Sequence, residues 1–357
     1  MKFVIFVDMT IQENISLRPY NTFGIEVRAR KLAPFADGIE LAGVLSSHKG
    51  MPHMVLGGGS NVLFTGNVDG IVLKNEVMGI ETVAEDEDYV YLRVGGGENW
   101  HAFVQHCIAV DLGGVENLSL IPGCVGAAPM QNIGAYGVEL REVFQDLEAF
   151  HLLDSTIERF TLNDCAFGYR DSVFKGKYKD QFAILHVTFR LRKRPVFNTS
   201  YGAINQELEQ MGIKDLSLRA ISEAVIRIRN SKLPDPRRIG NAGSFFKNPI
   251  VGSNDIDRLV KEFPGMPVYP AAKEPYVGAE SDFPGAAKIP AGWLIEQCGW
   301  KGFRRGDAGV HERQALVLVN YGDATGKELY DLSEEILQSV QGKFGVELER
   351  EVNVVPS

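Results

Sequence analysis

The sequence predicts an α+β protein in three parts, two lobes built on strands and glycine turns followed by a mixed C-terminal domain. Three observations carry that prediction. The chain has 357 residues, beyond the roughly 250 at which single cores stop growing. Short apolar runs in its first half stop repeatedly at glycine clusters. Beyond about residue 230 the pattern changes to helices alternating with short strands.

Taken in order, Phe3–Val7 is a short apolar run that reads as a first strand, far below the roughly 20 residues that span a bilayer. Met54-Val55-Leu56 runs into Gly57-Gly58-Gly59-Ser60-Asn61, and Ile71-Val72-Leu73 follows after a further turn. Tyr89–Val94 repeats the pattern into Gly95-Gly96-Gly97, after which Asn99 can cap a helix from Trp100 to about Val110. The stretch Leu120–Gly137 is too rich in small residues to be a packed element. Phe144–Arg192 reads mostly as strands, with Ala183–Leu191 the clearest. Ile204–Met211 and Ser217–Asn230 have helical periodicity, which Pro234 and Pro236 end. Helices are then expected at Asn254–Glu262, Ala291–Cys298 and Thr325–Lys343, and strands at Ala315–Asn320 and Val346–Val355. The corresponding division is 1–77 joined by the closing strand 346–357, then 78–229, then 230–345.

Composition excludes several functions. Hydrophobic residues are 45% and charged residues 23%, the proportions of a folded globular chain. With 46 acidic against 37 basic residues the net charge is −9, a field unfavourable to nucleic acid and to anionic membranes. An anionic ligand therefore needs a locally basic pocket. The four cysteines, Cys107, Cys124, Cys165 and Cys298, have no metal-ligand spacing, so free thiols, no metal and a cytoplasmic location are expected.

A glycine turn after a strand lets backbone N–H groups approach an anion without a Cβ in the way. One such turn is weak evidence, and Gly57–Gly59 leads into another apolar run rather than a helix, which disfavours a Rossmann domain. Three together say more. Residues 54–64 and 120–137 resemble the cofactor loops of the vanillyl-alcohol-oxidase type of FAD-binding domain, which implies FAD held by Leu56, Gly57, Gly58, Gly59, Ser60, Asn61, Pro122, Gly123, Gly126, Ala127, Gln131, Asn132, Ile133 and Gly134.

Four further stretches narrow the resemblance: Asn21-Thr22-Phe23-Gly24, the run Phe167–Lys175, Gly240–Pro249 with its Gly-Ser-Phe-Phe-Lys-Asn-Pro core, and Leu348-Glu349-Arg350-Glu351-Val352. Over nearly its whole length the chain resembles the bacterial UDP-N-acetylenolpyruvoylglucosamine reductases. Asn198–Gly212 resembles the tyrosine loop that one subclass of them carries. The resemblance implies an NADPH-dependent flavoenzyme that converts UDP-N-acetylglucosamine enolpyruvate to UDP-N-acetylmuramate for peptidoglycan precursor synthesis. It also implies noncovalent FAD, NADPH as hydride donor and a ping-pong cycle; no membrane or nucleic-acid partner is expected, and a monomer is.

That chemistry adds hydride to a CH₂ carbon and a proton to the carbon bearing oxygen and carboxylate, so charge builds on the carboxylate and fixed donors stabilise it. An arbitrary arginine is more often a surface ion pair, but Arg170 matches the family's catalytic arginine, Glu351 its assisting carboxyl group and Ser244 its proton donor. Taken alone, Ser244 reads as a loop or cap serine and Glu351 as a solvated edge residue. No histidine stands at a triad-like spacing from Ser244, which disfavours acyl transfer. Tyr169, Tyr201, Lys232, Asn248, Tyr269 and Gln314 match substrate-binding positions, and their side chains suit a diphosphate. Cys124 departs from the family, which more often has a small hydroxyl residue there. It reads either as a small loop residue or as an attachment point for FAD like that of some oxidases of the superfamily. Two rivals remain: an alcohol oxidase of the same flavin fold, marked by oxygen consumption, and a non-catalytic nucleotide-sugar binding protein, marked by lack of flavin.

Overall fold

The computed structural model describes residues 11–270 and 286–356. The strand expected at Phe3–Val7 lies outside them. The chain forms two compact units, one of residues 11–15, 28–59 and 68–231, the other of 16–27, 60–67, 232–270 and 286–356.

The first unit holds two sheets. One is four-stranded, in the order Gln12–Ser16, Arg28–Phe35, Val68–Asn75, His53–Leu56, and its last three strands run parallel. The other is five-stranded and antiparallel, in the order Ile157–Thr161, Phe144–His151, Phe182–Arg192, Tyr89–Gly95, Ile80–Glu85. The central strand Phe182–Arg192 is the long apolar run of the sequence, buried at nearly every position as a strand covered on both faces must be. On one face the helix Trp100–Ala109 buries Trp100 and Phe103 against Phe189. Asn99 starts that helix by accepting from the Ala102 N–H at 2.9 Å, as its cap position predicts. On the other face the helix Gly38–Ser47 packs Leu41 and Val44 into a core with Phe35, Phe150 and Leu185. This helix escaped the sequence reading. Its signal was Asp37, whose carboxylate accepts from Ile39 and Glu40 N–H at 2.8 Å each.

In the second unit the antiparallel sheet Gly240–Asn241, Leu318–Asn320, Ala308–Val310, Arg304–Arg305 is covered by the helix Gly326–Phe344. Leu329, Leu332, Ile336, Val340 and Phe344 recur at helical spacing and are all buried. Thr325 and Glu328 form a capping box at its start, and Gly345 closes it at φ +67°. The short helices Leu218–Lys232 in the first unit and Ser253–Glu262 and Ala291–Gln297 in the second lie within two residues of the expected spans.

Two strands are shorter than the sequence suggests. Residues 315 and 316 form a turn, because the Val317 N–H donates to Gln314 O at 3.1 Å, and only Leu318–Asn320 joins the sheet. Before Asn353–Val355, which pairs in parallel with Val62–Phe64, the chain instead crosses residues 245–247. Among the described residues no helix is long and apolar enough to cross a membrane.

Candidate active site

In the first unit the glycine loops lie against one another. Leu56 is the buried end of its strand, and Gly57–Gly59 turns immediately after it, with Gly59 at φ +60°. A Cβ on Gly58 would stand 2.9 Å from the Gly123 Cα, and one on Gly126 would stand 3.0 Å from the Gly96 Cα. Real Cβ atoms essentially never come within 3.0 Å of backbone and seldom come as near as that, so glycine lets these loops meet. The Gly126 N–H donates to Gly96 O at 2.9 Å, and the Trp100 N–H to Gly123 O at 3.0 Å. Gly96, absent from the expected cofactor set, is thus part of the same packing. Among the described residues the N–H groups of Gly57 and Gly58 have no acceptor. A surface of small residues with free N–H groups fits the pyrophosphate of a dinucleotide.

Pro122 and Ala127 are exposed on this loop, and Gln131 ends the short helical turn that follows. Asn132 is different in kind. It is fully buried at φ +42°, its amide donates to Glu139 and to Gly168 O at 3.0 Å each, and its oxygen accepts from the Arg141 N–H at 3.1 Å. That side chain is committed to protein partners and ties the loop to the segment carrying Tyr169 and Arg170. Ile133 is core, with its N–H on Ala128 O and its carbonyl accepting from Leu140. Cys124 is buried with its Cβ 3.7 Å from where a Gly57 Cβ would be, and burial pushes its thiol above the ordinary range.

Arg170 stands at φ +54° in a tight loop closed by a bridge between Gly168 and Asp171. Its guanidinium donates to Gly134 O and lies 5.3 Å from the centre of the Tyr169 ring. Tyr201 caps the helix Gly202–Gln210 and meets Tyr136 edge to face at 5.2 Å. Tyr136, whose ring meets Tyr201, and Arg229, whose Nε is buried, were not anticipated.

In the second unit Ser244 and Glu351 are brought together by main-chain pairing. The Glu351 N–H donates to Phe245 O at 2.8 Å and the Lys247 N–H to Glu349 O at 2.9 Å, so residues 245–247 and 349–351 run side by side. Phe245 and Phe246 are fully buried, 5.3 Å apart, and anchor Ser244 at the edge of their core. Asn61 donates to Glu351 O at 3.2 Å, so this side chain of the Gly57–Asn61 run supports the glutamate's backbone; Ser60 precedes it, half-buried. Asn248 accepts from the Ala291 N–H at 2.9 Å and Gln314 from the Leu316 N–H at 3.3 Å, and the Gln314 oxygen lies 3.1 Å from where a Gly292 Cβ would be. Both amides thereby sit at one helix start with their NH₂ groups left to donate. Tyr269 lies exposed on a two-residue strand paired with Lys288, and Lys232 is exposed at a helix end. Among the described residues no three His, Cys, Asp or Glu side chains group as a metal site would.

Comparison with known proteins adds independent support. Residues 235–355 match the family described as UDP-N-acetylenolpyruvoylglucosamine reductase, C-terminal domain, and residues 40–160 match an FAD binding domain. A UDP-N-acetylenolpyruvoylglucosamine reductase of Amoebophilus asiaticus is 49% identical over 97% of this chain and 100% of its own length. One of Pseudomonas aeruginosa is 47% identical over 98% of this chain and 100% of its own. The crystal structure of the reductase from Thermus caldophilus aligns with a TM-score of 0.66 at 24% identity, covering 98% of this chain and 100% of the other, a likeness of fold.

Proposed function

The chain belongs to the UDP-N-acetylenolpyruvoylglucosamine reductase family of FAD-dependent oxidoreductases, and from that premise we propose that it reduces UDP-N-acetylglucosamine enolpyruvate to UDP-N-acetylmuramate with NADPH, in the cytoplasm, for peptidoglycan precursor synthesis. FAD held at the glycine loops supplies the hydride chemistry that joins the two half-reactions. It is held without a covalent link, since a thiol kept protonated by burial, as at Cys124, is a poor nucleophile.

Arg170 stabilises charge on the enolpyruvyl carboxylate, a fixed guanidinium being worth most where water is excluded. Ser244 gives its proton to the carbon that bears oxygen and carboxylate, and Glu351 assists that transfer. The observation that supports this reading is the main-chain pairing of Phe245 with Glu351, which makes Ser244 the residue next to the glutamate's backbone partner. Asn248 and Gln314 offer amide donors to the diphosphate, and Tyr169, Tyr201, Lys232 and Tyr269 complete the substrate contacts. The enzyme works as a monomer.

The test is the visible spectrum of the purified protein. The flavin bands should bleach with NADPH and return on adding the enolpyruvyl substrate under anaerobic conditions, and acid precipitation should carry the yellow colour into the supernatant. Colourless protein, or reoxidation only by oxygen with turnover of alcohols, overturns the reading.

A further inference from the structure

Two side-chain amides tie the start of the segment Asn198–Gly212 to the Gly134–Gly137 turn, all within the first unit. Asn117 is 1% exposed and donates from its one NH₂ group to Tyr136 O and to Asn198 O, at 2.9 Å each. Both acceptors are main-chain carbonyls, so the amide can face them only with its nitrogen. Its Oδ1 is buried with no donor among the described residues, a cost to the fold. Joining those two carbonyls is therefore this side chain's contribution. Asn198 makes the reciprocal bond, its Nδ2 donating to Gly137 O at 2.9 Å. Its Oδ1 is spent locally, accepting from the Ser200 N–H at 3.1 Å and from the Ser200 hydroxyl at 2.7 Å.

The fit around these bonds is close. Gly137 stands at φ +83°, and a Cβ there would lie 3.2 Å from Ser200 Oγ and 3.4 Å from Asn198 Nδ2. Tyr201 follows directly, at the start of the helix Gly202–Gln210, whose Ile204 and Leu208 are buried in one cluster with Ile221 and Val225 of the helix Leu218–Lys232. Its backbone is thus held from both sides, by amide bonds before it and a packed helix after it. The ring meets Tyr136 edge to face at 5.2 Å, yet Tyr201 is 47% exposed. An exposed aromatic on a connecting segment binds a ligand more tightly when it is ordered beforehand, because ordering it then takes nothing from the binding free energy.

We propose that Asn117 and Asn198 are positioning residues for the enolpyruvyl substrate that act through Tyr201, their amides holding its segment against the Gly134–Gly137 turn so that the ring is in place before the ligand arrives. This inference rests on the reading that Tyr201 contacts the substrate. Asn198→Asp keeps the oxygen that accepts from Ser200 and removes the donor to Gly137, and Asn117→Leu keeps the shape and removes both donors. The FAD-loaded parent, these variants, Tyr201→Ala and Tyr201→Ala with Asn198→Asp are compared by stopped-flow absorbance, with recovery timed over a range of enolpyruvyl substrate concentrations. Asn198→Asp should raise the half-saturating concentration about 3- to 10-fold, the loss of one hydrogen bond, and Asn117→Leu should raise it further. The limiting rates of bleaching and recovery should stay at the parent values, because neither amide serves the chemical steps. Adding Asn198→Asp to Tyr201→Ala should change nothing more, since the amide acts through that ring, whereas repulsion by the new charge would persist in that background. Without ligand, hydrogen exchange in residues 199–206 should be faster in both asparagine variants. Asn198 is half-buried, so its variant decides even where Asn117→Leu fails to fold. An unchanged half-saturation in Asn198→Asp, a loss confined to the limiting rate, or an equal further loss in the Tyr201→Ala background each overturn the assignment. If Tyr201→Ala also leaves half-saturation unchanged, the reading of Tyr201 as a substrate contact falls with it; if Tyr201→Ala raises it and Asn198→Asp does not, the failure is confined to the amides.

Discussion

Ser244 separates the two halves of the proposed reaction, because reduction by NADPH requires no proton donor at the substrate carbon and recovery with the enolpyruvyl substrate does. Ser244→Ala should bleach at the parent rate and recover about 10²–10⁴-fold more slowly, the usual cost of a lost general acid. Stopped-flow absorbance reads both phases, and equal slowing of the two would make Ser244 a loop residue only. What was legible here is the anchor beside Ser244: two phenylalanines after the serine mark an apolar spot, and both are fully buried. Asn132 was legible as a position and not as a role, since a run of small residues does not reveal that one amide will bond Glu139, Gly168 and Arg141. Arg229 was not legible at all. Its place in an amphipathic helix suits an exposed cation, and only the absence of a carboxylate around it, a tertiary fact, marks it out.

Among elements, the glycine loops were the clearest signal and their mutual packing the least. Gly58→Ala places a Cβ 2.9 Å from the Gly123 backbone, which cannot yield as a flexible side chain would. That variant should purify with at most a small fraction of the parent's FAD, whereas Gly176→Ala, with nothing within 4 Å, should retain all of it. Absorbance at the flavin band per mole of protein decides, and a fully yellow Gly58→Ala would sink the role given to the loop contact. The closing segment shows the opposite failing. Its alternation Val346, Leu348, Arg350, Val352 reads as one strand by period alone, yet pairing with residues 245–247 takes its middle, and only Asn353–Val355 forms a regular ladder. Period reports which face is buried; it does not report the partner.

At the scale of the whole molecule, the chain passes between its two units five times, at residues 15/16, 27/28, 59/60, 67/68 and 231/232. The matched C-terminal stretch 235–355 is therefore an incomplete body. It lacks Val62–Phe64, the partner of its last strand, and Phe23, which is buried against Phe245 and whose carbonyl accepts from Asn320 at 2.9 Å. Residues 232–357 expressed alone should show no cooperative thermal transition, and a sharp one by circular dichroism would contradict the interdependence. Composition and period marked the crossing at 231/232, where the pattern changes near residue 230, and not the other four, because the stretches between them are short and look like the chain around them. The parallel pairing of Val62–Phe64 with Asn353–Val355 also has a consequence in time. Thr65 and Val355, which bond at its edge, are 290 residues apart, and translation at about 5–20 residues per second leaves the nascent Val-Leu-Phe segment waiting roughly 15 to 60 s for the strand that covers it. During synthesis that segment is an apolar strand without its partner until Asn353–Val355 emerge.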